Sequence, residues 1–454
     1  MKAIRLERFK GYEDSGWIKL DRPITLIFGN NSSGKSALLS SIMMLKQSLE
    51  SIDREVPFIF SSKDGIDIGS FEDAVFNHEV DSKKPMIFSF EIEVENDYPL
   101  LNLSKQNSLI YSVKVVYNKK RHFNTIIGFD LVKKEDNKTI IKMSKKSNSF
   151  NAKPHFETEY AFDPSNLQLK WFFFTPLLFS KKEQSKTIQN SSDEAETTNN
   201  NDIYTEVYEI TREFTIKILS FFDQLIHIGP IRHAPQRDYH FTGETPFNVG
   251  IDGRDAPQIL FLDKYSSKSK KLINNVNVSL ENLGYSLNWS ILKGGVATLN
   301  LREINSNVDC NLKDVGFGIS QLLPLLVQGY ALNKAQYLLL EQPEIHLHPR
   351  AQSKLGDFFI EMSKKNKFFI IETHSEHILL RIRRRIAEGE INSEQVRICF
   401  VERKEGKSII NNIELDKFGQ FVEIPDSFKS FFADDFEEVL KITEEIAKRK
   451  SKGE

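Results

Sequence analysis

The sequence predicts an α/β fold assembled from the two ends of the chain, with a strand-rich lobe and an inserted helical and irregular region between them. Three observations predict it. Near the N-terminus the apolar run "PITLIF" ends at Gly29 in a Gly/Ser loop, and the apolar-periodic "SALLSSIMMLKQSLESI" follows; this reads as strand, loop and helix. Toward the C-terminus, "YLLLE" and "KFFIIE" are short apolar runs without alternation, the pattern of strands buried on both faces. Between them, "MIFSFEIEVE", "LIYSVKVVYN" and "HFNTIIGFDLV" alternate in the manner of an antiparallel sheet.

In chain order, "AIRLERFKGYEDSGWIKL" reads as two short strands around a turn, with Ile4, Leu6 and Phe9 at the apolar positions. Residues 180–202, "SKKEQSKTIQNSSDEAETTNNND", are polar and nearly free of apolar residues, which predicts a flexible loop. A helix is expected over Ile203 to Leu225, then the Pro-broken, basic loop "HIGPIRHAPQRDYHF", then a mixed region to about residue 310. "VGFGISQLLPLLVQGYALNKAQYLLLEQPEIHLHP" reads as loop, helix, buried strand and loop, and "KFFIIETHSEHILLRIRRRIAEG" as a strand feeding a helix. Sustained heptads and internal repeats are absent, so long coiled-coil arms are not expected. The expected division is 1–84 for the N-terminal part of the core, 85–179 for the strand-rich lobe and 180–202 for the loop. Residues 203–310 form the inserted region, 311–400 the C-terminal part of the core and 401–454 a short C-terminal domain.

The 454 residues suffice for two domains, or one with insertions. With 40% hydrophobic and 27% charged residues and a net charge of −2, any nucleic-acid contact would be a local patch rather than a basic wrap. The two cysteines, Cys310 and Cys399, argue against a disulfide framework or thiolate zinc site and fit a reducing cytosol. No apolar run reaches bilayer-spanning length, and "MKAIRLERFKGYED" has no signal-peptide core. The expectation is a soluble cytoplasmic protein.

The Gly/Ser loop Gly29-Asn30-Asn31-Ser32-Ser33-Gly34-Lys35-Ser36 matches the phosphate-loop pattern without a mismatch. Its glycines let backbone N–H groups converge on phosphate oxygens, and the helix that continues through Ala37 adds a partial positive charge. Lys35 would reach the β- and γ-phosphates, and the Ser36 hydroxyl would bind Mg²⁺. Glu341, at the end of the apolar strand in "YLLLEQPE", is the acid placed to hold the metal or its waters.

Together with these motifs, "AIRLERFK", "VGFGISQ", "LLLEQPEIHLHP", "IIETHSEHILLR", "IGPIRHAPQR" and "FVERKEGKSIINNIELDKFGQFVEIPDSF" occur in this order. The chain thereby resembles the ATP-binding-cassette-type ATPases of the SMC/RecF/OLD-like branch. More narrowly, it resembles the bacterial AAA-labelled ATPases that end in a short uncharacterised domain. The resemblance implies a P-loop, ABC-ATPase-like head formed from N- and C-terminal segments, with ATP and Mg²⁺ as cofactors. It places Gly318 and Ser320 in the signature segment, which in such proteins closes over the γ-phosphate of a partner protomer; this implies a head-to-tail dimer around two ATP molecules. It makes His374 the switch histidine that contacts the γ-phosphate.

The chain departs from that pattern at one point. Such ATPases read Asp-Glu-Pro after the apolar strand, with the Glu activating water; here the residues are Glu341-Gln342-Pro343. A neutral amide accepts a proton poorly, though Gln342 could orient the attacking water as a Gln does in small GTPases. Glu344 would supply a carboxylate if the loop curls back. Slow or conditional hydrolysis is therefore expected, with ATP-driven closure as the main event.

Other groups carry less. His346, His348, His374 and His377 look like metal ligands at first sight, but "EIHLHP" follows the acid strand and, by the resemblance, fits a dimer-contact loop; a transition-metal site, which needs ligands converging at fixed geometry, is not expected. "RIRRRI", Arg381 to Ile386, is a basic run with Arg381 and Arg385 on one face; most such runs are solvated faces or partner contacts, and a phosphate or acidic partner is the functional alternative. Lys119, Lys120 and Arg121 beside Tyr117 and Phe123 are a second candidate patch for nucleic acid, for which a solvated sheet edge is the favoured reading. "CFVERKEG" is similar to the start of a Toprim nuclease domain, but no Asp-x-Asp follows it, and Asp434 and Asp435 are adjacent. Three functions stay open: a regulatory ATPase controlling an effector protein, for instance in antiphage defence; a DNA-repair ATPase that binds DNA across the closed dimer; and a non-hydrolysing scaffold in which ATP is structural.

Overall fold

The computed structural model describes residues 1–50, 56–62, 65–119, 122–145, 152–180, 202–241, 243–265, 269–292 and 295–431. The predicted loop between Ser180 and Asp202, residues Lys120 and Arg121 of one basic patch, and Asp434 with Asp435 lie outside these residues. The chain divides into two compact units. One comprises residues 1–21, 37–224 and 403–409, and the other residues 22–36, 225–402 and those from Ile410 on.

The second unit is built on a six-stranded sheet. Its strand order is Leu225–Ile228, Tyr337–Glu341, Phe368–Glu372, Ile24–Gly29, Val396–Lys404, Lys407–Ile413. The first five strands run parallel. The N-terminal strand Ile24–Gly29 thus lies between two strands from the far end of the sequence, so this α/β core is formed from both segments. All six of its residues are buried, as are Leu338, Leu339, Leu340, Phe369, Ile370 and Ile371. Strands covered on both faces read as continuous apolar runs, which explains why these three were legible. Ligands bind outside the carboxyl ends of such sheets, where Gly29, Glu341 and Glu372 stand in adjacent strands. The helices Phe317–Ala331, Pro349–Ser363 and Glu376–Ala387 contribute Leu325, Phe359 and Ile382 to the same core. A four-stranded antiparallel sheet includes Tyr285–Ile291 and Val296–Glu303, and Leu287, Trp289, Leu299 and Leu301 join that core.

Several elements depart from the sequence reading. The helix expected to reach Leu225 ends at Asp223, and Leu225–Ile228 becomes the edge strand of the parallel sheet. Four residues interrupted by His227 are too few to show a period of their own. The helix beginning at Phe317 takes in Gly318 and Ser320, in place of the expected loop, with Gly316 as its N-cap and Pro324 inside it. The helix Pro349–Ser363, which the sequence reading left unassigned, opens with proline at its first position, while His348 Nδ1 accepts the Arg350 N–H at 3.3 Å. That cap is the job of His348 in this fold. The strand Val396–Lys404 runs across position 400/401, and "CFVERK" lies in the ATPase sheet beside the phosphate-loop strand.

The first unit is the strand-rich lobe, an eight-stranded antiparallel sheet. Its long strands are Ala3–Phe9, Met86–Glu93, Ser108–Asn118, Phe123–Lys133 and Thr139–Lys145. "AIRLERFKGYEDSGWIKL" forms three strands rather than two, because Ile18–Lys19 returns to pair with Ala3 and Ile4. A two-residue strand is too short to show alternation. The buried face is aromatic: Phe58 stacks on Phe88 and Phe174, and Tyr111 stacks on Phe214 of the helix Ile203–Asp223. The Tyr111 hydroxyl donates to the Phe174 carbonyl at 2.5 Å, satisfying the polar end of a fully buried ring. No helix of the described residues is long and apolar enough to cross a membrane.

Candidate functional site

The phosphate loop is shaped by positions that only small or tolerant residues can fill. Gly29 has φ +151°, and a Cβ there would stand 2.1 Å from the Val401 carbonyl oxygen; any side chain would force the loop off the sheet. Ser32 at φ +61° and Gly34 at φ +116° take the left-handed turns that anion nests use, and the Ser33 N–H donates to the Asn30 carbonyl at 3.2 Å. Asn30, Asn31, Ser32 and Ser36 are exposed, whereas Ser33 and Lys35 are buried. The first turn of the helix Lys35–Glu50, which continues through Ala37, carries no acidic residue, so its positive end is free for an anion. Lys35 Nζ donates to the carbonyls of Gly29 at 2.9 Å and Asn30 at 2.8 Å. Burial lowers its pKa, against the pull of Glu372. The ammonium is therefore held by two neutral acceptors that a phosphate would outcompete.

Opposite the loop, neighbouring strand ends set polar groups in a row. His227, from the edge strand, approaches Glu341 Oε1 with Nε2 at 2.8 Å. Glu341 is the register partner of Glu372 on the next strand. Both Glu372 oxygens lie near the Ser36 hydroxyl, at 3.2 and 3.3 Å. Glu372 is 2% exposed. Its carboxyl is pushed up to about 7, first by burial and then by the charge of Glu341. The donors gathered here are hydroxyl and carboxylate oxygens, which suit a hard divalent ion such as Mg²⁺. Glu344 keeps one buried oxygen without a partner among the described residues, and its charge also reaches Glu372. The residues present therefore fit Mg²⁺.

The loop after Glu341 is pinned at every turn. Gln342 takes φ +44°, its N–H donates to the Glu372 carbonyl at 2.8 Å, and Arg232 Nη2 donates to the carbonyls of Glu341 and Gln342 at 2.9 and 3.3 Å. Arg232 is 4% exposed, and its Nε and Nη1 have no partner among the described residues. Burial pushes its pKa down to about 10, against the pull of Glu344 and Glu341. The chain does curl back, so that Glu344 Oε1 accepts the His374 N–H at 2.7 Å. Burial raises the Glu344 pKa, while these hydrogen bonds oppose it. Burial, helped by Lys35, lowers the pKa of His374, which favours the neutral imidazole at pH 7.

The fold thus brings the phosphate loop, Ser36, Glu341, Gln342, Glu344 and His374 into one unit, linked in part through Glu372 and Arg232 by hydrogen bonds of 2.7 to 3.3 Å. Gly318 and Ser320 stand in the first turn of the helix Phe317–Ala331, and a Cβ on Gly318 would lie 2.6 Å from the His346 carbonyl oxygen. The segment expected to be the signature therefore packs, at Gly318, against the loop that follows the acid strand of its own chain. Glu372, His227 and Arg232 were not read as site residues. "KFFIIE" repeats the pattern of "YLLLE", an apolar strand ending in an acid, and that signal was available for Glu372. His227 became visible only with its strand.

"RIRRRI" is not a free basic patch. Arg385 pairs with Asp357 at 2.7 Å and Glu388 at 2.6 Å, and Arg381 with Asp357 at 3.5 Å. Arg384 pairs with Glu388 at 2.7 Å, and Arg383 donates to the Gly419 carbonyl while lying over the Phe421 ring.

Comparison with solved structures returns SMC head domains, three of which follow. A head of SMC bound to the C-winged helix domain of ScpA shares 13% identity, with a TM-score of 0.39, over 92% of this chain and 98% of that one. The SMC head domain from Thermotoga maritima shares 12%, with a TM-score of 0.35, over 91% and 99%. An Smc head with an extended coiled coil, bound to the C-terminal domain of ScpA derived from Pyrococcus furiosus, shares 12%, with a TM-score of 0.37, over 98% and 99%. No curated protein matches the sequence. The AAA ATPase domain matches residues 1–379, a span that contains the phosphate loop, both strand-end acids, the Arg232 loop and His374. The chain belongs to the AAA ATPase domain family.

Proposed function

We propose that this protein binds ATP with Mg²⁺ between two head-to-tail protomers, hydrolyses it slowly or only under a stimulus, and uses the closed state to control an effector protein. The observation that carries this reading is the placement of Gln342. It follows the metal-facing acid, and its backbone is fixed by Glu372 and Arg232 where a proton-accepting carboxylate is normally found. Mg²⁺, when bound, neutralises charge on the phosphates. Ser36 and Glu341 would hold it; Lys35 leaves its two carbonyls for the phosphates. The loop amides of Asn30 to Ala37 cradle them, and neutral His374 donates a hydrogen bond toward the γ-phosphate. Gln342 orients water but does not take its proton, and Glu344 is the carboxylate in reserve, with one oxygen already committed to the His374 amide. Gly318 and Ser320 reach the γ-phosphate of the second protomer, so dimerisation completes each site.

The experiment is steady-state ATP hydrolysis with Mg²⁺ for wild type, Lys35→Ala and Gln342→Glu, beside the oligomeric state by light scattering with and without ATP. Low wild-type turnover, lost in Lys35→Ala and raised in Gln342→Glu, is expected, with dimers only in ATP. Brisk wild-type turnover that Gln342→Glu leaves unchanged or impairs would transfer the base to Glu344 or His374. ATP that co-purifies without turnover in either protein would favour the structural scaffold, a reading that Gln342 keeps open. Antiphage defence in the cytoplasm is the setting we favour for such a switch. A DNA-binding role is weaker, since the arginines of "RIRRRI" are paired internally; salt-sensitive DNA affinity that appears only with ATP would restore it.

A further inference from the structure

We propose that Glu372 is a second acidic ligand of the divalent-cation site, so that Glu341 and Glu372, from two adjacent strand ends, and Ser36, from the first turn of the helix after the phosphate loop, hold the ion together. Glu341 and Glu372 are register partners on neighbouring parallel strands, so their side chains leave the same face about 4.8 Å apart at the backbone. Neither makes an ion pair with a lysine or arginine among the described residues: Glu341 is met by His227, and Glu372 by the Ser36 hydroxyl alone. A carboxylate 2% exposed that no cation contacts, with Lys35 acting on it only from a distance, is costly unless something positive joins it. Lys35, the nearest candidate, gives its ammonium to the Gly29 and Asn30 carbonyls and is needed by the phosphates.

A third feature points the same way. Glu344 is nine-tenths buried; its Oε1 accepts the His374 N–H, its Oε2 has no hydrogen bond of good geometry among the described residues although Thr373 and the Arg232 charge act on the carboxyl, and its own charge acts on Glu372. Negative charge therefore converges on the space next to Ser36 from more than one strand end, and oxygen donors of this kind select a hard cation. A carboxyl whose only duty was to receive the Ser36 hydroxyl would need no second acid in register with it. The paired acids also tie the metal to the candidate base position, because the Glu372 carbonyl receives the Gln342 N–H.

This inference rests on the ATP-binding reading above, and the test separates the two. Binding of a fluorescent ATP analogue to the full chain is titrated with Mg²⁺ at pH 8 for wild type, Glu372→Gln and Glu341→Gln, with binding in EDTA as the reference. In Glu372→Gln, the Mg²⁺ concentration at half effect should rise at least tenfold, as in Glu341→Gln, while affinity in EDTA stays level or improves because a negative charge has been removed. An unchanged Mg²⁺ requirement in Glu372→Gln, beside a raised one in Glu341→Gln, would overturn the proposal. If wild type binds no analogue, the nucleotide reading itself falls, and this inference with it. Should the glutamine variant not fold, Glu372→Asp keeps the charge but withdraws it by one methylene. A Mg²⁺ requirement raised severalfold is expected for it, and an unaltered one would again refute the role.

Discussion

Replacing Glu372 by glutamine should stabilise the metal-free protein at alkaline pH and do little at acid pH. The folded state holds this carboxyl at about 7, against an ordinary value of 4.5. At 1.36 kcal/mol per pKa unit, that gap corresponds to a ceiling of about 3 kcal/mol. The sign follows from which state binds the proton. Between the two values the folded state keeps a proton that the unfolded chain has released, so stability falls as pH rises from about 4.5 and levels off above about 7. Glutamine has the same shape and no charge to bury, so the variant escapes this cost. Thermal unfolding in EDTA should therefore show near-equal midpoints at pH 5 and a higher midpoint for the variant at pH 8.5. At roughly 2–4 °C per kcal/mol for a large domain, the difference amounts to several degrees. Saturating Mg²⁺ and ATP should reverse the order, because only the wild-type carboxylate gains a cation. A gap independent of pH, or a variant less stable at pH 8.5, would show that Glu372 is ionised at no cost in the folded protein, and the electrostatic account of the site would be wrong.

Three further outcomes follow from the geometry. Gly29→Ala should abolish ATP binding measured by analogue fluorescence, since its Cβ would sit 2.1 Å from the Val401 carbonyl, a main-chain atom of the neighbouring strand. Gly318→Ala gains about 1 kcal/mol of helix propensity but drives a Cβ to 2.6 Å from the His346 carbonyl. A net loss of about 1–3 kcal/mol on overpacking is expected in chemical denaturation, together with a fall in ATPase rate. Arg232→Lys keeps the charge yet cannot reach the carbonyls of Glu341 and Gln342 in the same fork. Its kcat should drop at least tenfold with the KM for ATP little changed, because the residue positions the loop rather than the nucleotide; a pure KM effect would contradict this.

The phosphate loop, the acid strand and the histidine strand were legible because each joins a local chemical pattern to a buried apolar run. Gly29 to Ser36 satisfies a strict spacing, and strands buried on both faces stand out by continuous hydrophobicity. The aromatic lobe was legible for a related reason, since alternation persists over runs as long as Ser108–Asn118. The sequence by itself thus determined the α/β class, the loop, the anomalous Gln342 and the order in which the pieces occur. Tertiary structure decided what short elements and distant pairs become. Leu225–Ile228 is a strand because its four residues pair with Tyr337–Glu341. Glu372 acquires its character because register sets it against Glu341, more than thirty residues away in sequence. Arg232 matters because its guanidinium lands on the carbonyls of Glu341 and Gln342. Charge, burial and hydrogen bonding at a site depend on which strand ends become neighbours, and no local period in the chain encodes that adjacency.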